Sequence, residues 1–207
     1  MKEERLNYIF TCKTINEMNV PYIYDQKFRD KVFSSDDIAQ KEFENCEFEN
    51  CDFTACNFQG AVFVDSIFDS CNFKEAKIGH VGLRNAQFTG CNFSSVNFAM
   101  TDQIIYDFNF KSCNLDYAQF YNLKLRGIQF IDCSMVSTDF MQSDLTEALF
   151  DNCNLHLAVF SDAIANKVDF YSSYFFSIDP EKTKLKKAVF SQEGLKGLLE
   201  KYDLIVR

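Results

Sequence analysis

The stretch Phe43-Glu44-Asn45-Cys46-Glu47-Phe48-Glu49-Asn50-Cys51-Asp52-Phe53-Thr54-Ala55-Cys56-Asn57-Phe58 puts a phenylalanine at every fifth residue. The pattern runs on in both directions. From Phe43 to Phe98, twelve successive fifth positions are Phe, Ile or Leu, and from Phe110 to Phe160 eleven more are Phe or Leu, with Met135 the one other type. Apolar residues make up 47% of the chain, so a chance run of this kind has odds on the order of one in ten million. A period of five fits neither an amphipathic helix nor a half-buried strand. It describes a short unit that turns a corner every five residues, which is the mark of a solenoid.

The cysteines give the size of one coil. Cys46, Cys51, Cys56, Cys71, Cys91, Cys113, Cys133 and Cys153 all stand two residues before an apolar centre, and only Cys12 does not. Elsewhere the same slot holds residues such as Ala61, Ser66, Val81, Ala118, Thr138 and Ala158. The slot wants a small, largely apolar side chain, and a buried free thiol meets that need. Cys51, Cys71 and Cys91 are twenty residues apart, as are Cys113, Cys133 and Cys153. Four five-residue units therefore complete one turn, with like residues stacked on like. Asn72, Asn92, Asn114 and Asn154 follow members of the cysteine stack and are placed to form an asparagine ladder. A zinc site is not expected, because only His80 and His156 are available to join the thiols.

The 207 residues suffice for one well-buried core. No stretch approaches a membrane span. The opening Met1-Lys2-Glu3-Glu4-Arg5 lacks the apolar core of a secretion signal, which implies a cytoplasmic location. The net charge of −9 is uneven: residues 35–75 hold ten acids against Lys41 and Lys74, whereas residues 161–207 hold seven acids against eight bases. The acids Asp36, Asp37, Glu42, Glu44, Glu47, Glu49 and Asp52 read either as a solubilising surface or as one that imitates a polyanion. Direct nucleic-acid binding is disfavoured by this balance. Two isolated histidines and the lack of a Gly-rich phosphate loop leave nothing to build an enzyme or a cofactor site on.

Units such as Cys51-Asp52-Phe53-Thr54-Ala55, Ala86-Gln87-Phe88-Thr89-Gly90 and Ser143-Asp144-Leu145-Thr146-Glu147 resemble the pentapeptide repeat, small–Asp/Asn–Leu/Phe–Ser/Thr–Gly. The resemblance implies an all-β fold, a right-handed quadrilateral β-helix, over residues 28–175. Glycine is rare at the last position here, which suggests that some corners differ in turn type. Residues 1–27 then read as an N-terminal cap, although the period reaches back through Ile38, Phe33, Phe28 and Ile23. Forwards, Phe170 and Phe175 keep the frame, Pro180 stops it, and Leu185 and Phe190 return to it. Residues 176–207 form a C-terminal segment with a short α-helix: Ser191 is placed as N-cap, and Leu195, Leu198, Leu199 and Tyr202 share one face. Asp203-Leu204-Ile205-Val206 reads as a short apolar strand. Such an end folds back as a cap or meets a symmetry mate.

The tail, from Ile178-Asp179-Pro180 through Leu185-Lys186-Lys187-Ala188-Val189-Phe190 to Val206, resembles the ending of the quinolone-resistance (Qnr) proteins and the similar microcin immunity protein. That resemblance implies a homodimer joined through Leu195, Leu198, Leu199, Tyr202, Leu204, Ile205 and Val206. It also implies a rod that binds DNA gyrase or topoisomerase IV. The frame breaks once, between Phe98 and Phe110, where twelve residues stand in place of ten. Within 99–109, Met100, Thr101, Asp102, Gln103, Ile104, Ile105, Tyr106 and Asp107 form either a bulge that fixes a local twist or a partner-binding loop. A projecting loop near this place in Qnr proteins contributes to topoisomerase protection. Those proteins often carry a second, earlier loop, whereas here the frame from Phe43 to Phe98 is unbroken. Three functions stay open: protection of a topoisomerase from a drug, self-immunity to a gyrase-directed toxin, and a scaffold with no topoisomerase role.

Overall fold

The computed structural model describes residues 20–101 and 106–205, with Tyr106 and Asp107 described as backbone only. Pairing is parallel throughout. Strand β1 (Tyr22–Tyr24) lies on β3 (Glu42–Glu44), which lies on β5 (Val62–Val64) and then β7 (Gly82–Thr89). On the next side, β2 (Lys27–Arg29), β4 (Glu47–Glu49) and β6 (Ile67–Asp69) lead through β7 to β8 (Tyr106–Lys111), β9 (Gln129–Ile131) and β10 (Leu149–Asp151). Single-residue bridges hold the other two sides, such as Asp52 to Asn72 to Asn92 to Asn114, and Asn97 to Gln119 to Asp139 to Val159. The chain is a right-handed quadrilateral β-helix. Among the described residues pairing runs from Tyr22 to Val189, past both ends of the expected 28–175. The first nineteen residues of the expected cap lie outside the described residues.

The centres fill the interior as columns. On one side Phe28, Phe48, Phe68, Phe88, Phe110, Phe130, Phe150, Phe170 and Phe190 stack ring on ring, with centroids 4.7–5.6 Å apart. That separation matches the strand spacing, so the backbone ladder sets the stacking distance. Neighbouring columns meet edge to face, as Phe48 does with Phe43 and Phe53. Both arrangements are favoured by the ring quadrupole. Two other columns lose their aromatic continuity where Ile78 follows Phe58 and Leu83 follows Phe63, and the smaller side chains leave a void of about 20 Å³.

The slot two residues before each centre does more than accept a small side chain. Cys71, Cys91 and Cys153 direct Sγ–H at the carbonyls of Phe48, Phe68 and Phe130, at 3.4, 3.5 and 3.3 Å. Thr138 and Ser173 make the same bond with a hydroxyl, to Leu115 and Phe150. Where the slot holds Cys, Ser or Thr, the side chain adds a donor for a buried carbonyl with a spare lone pair; the alanines and valines of other coils meet the size requirement alone. Burial raises the Cys46, Cys51 and Cys56 thiols above their ordinary pKa. Cys71 and Cys133 are both buried and free, so they are expected to resist a thiol reagent until the chain is unfolded. Their labelling within the mixing time under native conditions would show that the slot opens.

The corners do differ in turn type, but glycine does not decide which type forms where. The residue two after most centres adopts positive φ whatever its identity: Asn45, Ala55, Glu75, Tyr117 and Leu157 all lie between +55° and +60°, whereas Ser35, Met100 and Ser172 do not follow the rule. That conformation costs an L-residue about 1–2 kcal/mol, and the parallel ladder on either side imposes it. Two corner types do exist. At some corners the backbone closes a turn, as in Cys56 N–H to Phe53 C=O and Ala61 N–H to Phe58 C=O. Others, after Phe43 and Phe48 for example, stay open and flank the regular strands. Side chains brace several open corners across coils: Asn45, Asn85 and Asn152 donate to Asp25, Asp65 and Asp132.

Candidate partner-binding site

The interruption is anchored on both sides. Phe98–Met100 forms a single 3-10 turn, with the Asn97 side chain accepting from Ala99 N–H. Thr101 is buried and donates its hydroxyl to Phe98 C=O at 2.7 Å, while His80 N–H donates to Met100 C=O. On the far side, the register between β7 and β8 shifts: Leu83 pairs with Tyr106, but Ala86 pairs with Phe108. Phe108 thus fills the slot that Ala86 fills one coil earlier. It is buried between Phe98 and Phe110, with ring centroids 5.9 and 5.4 Å away. A large ring in a small slot needs a locally widened coil, which is what a bulge supplies. Of the residues assigned to the loop by sequence, Thr101 is interior, Met100 is 55% exposed, and Tyr106 and Asp107 lie in β8. Asp102, Gln103, Ile104 and Ile105 lie outside the described residues.

The seven acids do not share one face. Glu42 and Glu44 lie on one side, Glu47 and Glu49 on the next, Asp52 on the third, and Asp36 and Asp37 in the short helix α1 (Ser35–Ile38) at a corner. Several are already engaged. Glu47 pairs with Lys27 at 2.7 Å and Glu49 with Arg29 at 2.5 Å, each from the preceding coil. Glu44 accepts from the Tyr22 hydroxyl; burial and this carboxylate push that phenol above its ordinary pKa. Asp37 accepts from Ser34 N–H and Oγ–H, which lowers its pKa, and Asp52 caps Thr54. The acids ring the early coils rather than forming a stripe, and bases directly beneath two of them blunt the local field.

The C-terminal end is built around Phe176. The frame slips there: Phe175 is 70% exposed with φ +60°, and Phe176 turns inward in its place. A helical segment of 3-10 turns Glu193–Leu195 and Glu200–Tyr202 around α2 (Lys196–Leu199) lies across this ring. Ser191 Oγ accepts from Gly194 N–H, the capping role its position suggests. A Cβ on Gly197 would lie 2.2 Å from the Phe176 carbonyl oxygen, so only glycine permits this approach. Lys201 closes the junction on Asp179 and Glu181, at 2.6 and 2.7 Å. Desolvation opposes its charge, but these two carboxylates outweigh it and hold the Lys201 pKa above its ordinary value. Among the residues assigned to the dimer contact, Leu198 packs against the core, while Leu195, Leu199, Tyr202, Leu204 and Ile205 are exposed. Leu204 and Ile205 are not in a strand, and Val206 lies outside the described residues. A groove of about 530 Å³ joins Leu199 and Leu204 to Phe175 and His156, with exposed Leu157 alongside. Sequence reasoning missed Phe175 and Leu157 because both sit in frame positions that elsewhere hold a core centre and a polar corner.

A family model described as a pentapeptide repeat region matches residues 37–103 and 81–160, which together span more than half of the chain. The chain belongs to the pentapeptide repeat family. Among solved structures, this pentapeptide repeat protein is similar to a trypsin-treated variant of QnrB1, a plasmid-mediated fluoroquinolone resistance protein. The identity is 16%, covering 91% of this chain and 98% of that one, with a TM-score of 0.61. It is also similar to HetL, a protein involved in heterocyst differentiation regulation in the cyanobacterium Nostoc. There the identity is 13%, covering 90% of this chain and 94% of that one, with a TM-score of 0.47. No curated protein matches the sequence. At 16% identity the likeness to the QnrB1 variant shows a shared fold alone. Among the described residues no helix is long and apolar enough to cross a membrane, and no cluster of side chains could hold a metal ion.

Proposed function

We propose that this pentapeptide repeat protein is a homodimeric, non-enzymatic rod that binds DNA gyrase or topoisomerase IV in the cytoplasm and protects it from a topoisomerase poison. The observation that carries the reading is the apolar C-terminal end. Leu199, Leu204 and Phe175 are large, exposed and line one groove, and Leu195 and Ile205 are exposed on the same terminal segment; exposed apolar surface of that kind marks a contact. Such an end supports a rod doubled through its tail, with the interruption between Phe98 and Phe110 repeated once in each half. The engaged and scattered acids favour recognition by shape and by the interruption over a continuous acidic stripe.

The test combines binding and protection. Gyrase or topoisomerase IV supercoiling or relaxation is measured with a fluoroquinolone present, with and without the purified protein. Restored activity together with direct binding is the expected outcome. If the protein binds neither enzyme and changes sensitivity to no gyrase poison, the scaffold reading replaces this one. Protection against a peptide toxin but not a fluoroquinolone selects the immunity reading. The dimer is tested separately at Leu199 and Leu204 rather than at Leu198, whose side chain holds the helix on the coil. Leu199→Glu with Leu204→Glu is expected to sediment as a monomer with an unchanged β-helix spectrum. A wild type that sediments as a monomer at micromolar concentration removes the dimer from the proposal.

A further inference from the structure

The coil that carries Lys184, Leu185, Lys186 and Lys187 gives the chain a basic edge that its overall charge conceals. Lys184 and Lys186 flank the inward Leu185 and are both exposed; Lys184 bridges Ile164 of the coil below, and Lys186 lies in the turn that Ala188 N–H closes on Leu185 C=O. Lys187 occupies the positive-φ corner beside them, and Lys167 the same corner one coil below. Lys184, Lys186 and Lys187 are exposed and make no ion pair among the described residues. Most acids of the nearby coils are engaged elsewhere. Glu147 is held by Lys167, Asp144 by Arg126 at 3.1 Å, and Asp179 and Glu181 by Lys201. Asp162 and Asp169, one coil below, make no ion pair among the described residues, and they flank the lysine side at its two corners. Lys186 N–H is satisfied by the Asn166 side chain, which fixes the turn that presents the ammonium groups.

We infer that this edge binds the phosphodiester backbone of nucleic acid, duplex DNA in the first instance. The net charge of −9 argues against nucleic acid for the chain as a whole, but distance separates the two regions. Seven coils lie between Glu47 and the level of Val189, or roughly 34 Å at one strand spacing per coil. Salt screens exposed charges beyond about 8–10 Å, so the acidic coils do not cancel the field at Lys186. The chemistry of the edge favours phosphate over an acidic protein. A protein interface would call for an apolar anchor and forked arginine contacts. Here the charged groups are lysines and their polar neighbours are Asn166 and Thr146; on their side of the coil Leu185 points inward and Ile164 is half-buried, while exposed Val189 lies round the corner. Point charges on a rigid coil position a phosphate backbone without reading its sequence. The inference does not depend on a topoisomerase partner.

The experiment uses the full-length protein and a short, labelled, random-sequence duplex, followed by fluorescence anisotropy with no topoisomerase present. Saturable binding is expected to weaken about 12- to 40-fold between about 50 and 200 mM salt, as the release of counterions from two to three phosphates requires. Lys184→Glu, Lys186→Glu and Lys187→Glu together are expected to lower affinity at least about tenfold. The milder Lys→Gln set should give an intermediate loss, and Lys74→Glu in the acidic coils should leave binding unchanged. A thermal melt of each variant checks that these exposed changes leave the fold intact. The inference is overturned if the wild type shows no saturable binding at low salt, or if the triple reversal binds as the parent does. It is overturned equally if polyglutamate competes as well as unlabelled duplex, which would assign the edge to an acidic polypeptide.

Discussion

Phe93→Ala is expected to lower the stability of the β-helix by about 3–5 kcal/mol. The ring is 2% exposed and lies 4.4 Å from Phe73 in the same column. Phe88 and Phe110 meet it edge-on at 5.0 and 5.4 Å, and Phe98 leans on it at 5.4 Å. The cost should fall at the top of that range because the site cannot collapse. In a layered domain, neighbouring elements shift to close a cavity, whereas here each coil is pinned above and below by the parallel ladder at a fixed spacing. The small void at Ile78 and Leu83 persists beside this very column, which illustrates the same rigidity. A fall in melting temperature of roughly 10 °C or more is the expected readout. Phe93→Asp should be worse, since it buries an unpaired carboxylate. A Phe93→Asp protein that melted like the parent would mean that the five-residue register is wrong.

Much of this architecture was legible because the solenoid repeats one local decision. Phe48 and Phe68 must face each other once the period is five and the coil twenty, and the cysteine slot follows from the same arithmetic. The corners were less legible. Scarcity of glycine suggested varied turns, and two kinds of corner exist, but it did not reveal that Glu75 and Leu157 would adopt the left-handed conformation that glycine prefers. In a solenoid the pairing on both sides of a corner outweighs a local penalty of a kilocalorie or two. Cross-coil charge was legible in principle: Lys27 and Glu47 are one coil apart, so their ion pair could have been read from the sequence. Reading acids by linear density instead of by coil position made residues 35–75 look like one surface. The swap of Phe175 for Phe176 was not legible at all. It depends on the helical segment pressing Gly197 against the end of the coil, and that tertiary contact overrides the period.

Deleting Ile104 and Ile105 together is expected to separate binding from protection. The deletion restores ten residues between Phe98 and Phe110, the spacing kept everywhere else between alternate centres. It spares Thr101, Phe98 and Phe108, which the structure places in the core; a wider excision of 101–108 would remove buried Thr101 and the Phe108 ring and confuse loss of function with loss of fold. The variant should stay folded but melt somewhat below the parent, because Phe108 keeps a large ring in a slot that the bulge no longer widens, and a thermal melt checks this. If the interruption is only a bulge, the shortened protein will also protect gyrase or topoisomerase IV as well as the parent does. If it is the element that engages the poisoned enzyme, protection in the supercoiling assay should be lost, by about tenfold or more in the protein concentration required. Binding to the unpoisoned enzyme should fall much less, since the rest of the rod is unchanged and a few central residues carry most of the energy of a contact. Restoring two residues as Gly-Gly gives the decisive comparison. That variant has the parent's backbone length without its apolar side chains, so protection by it would assign the effect to coil geometry, and failure would assign it to Ile104 and Ile105.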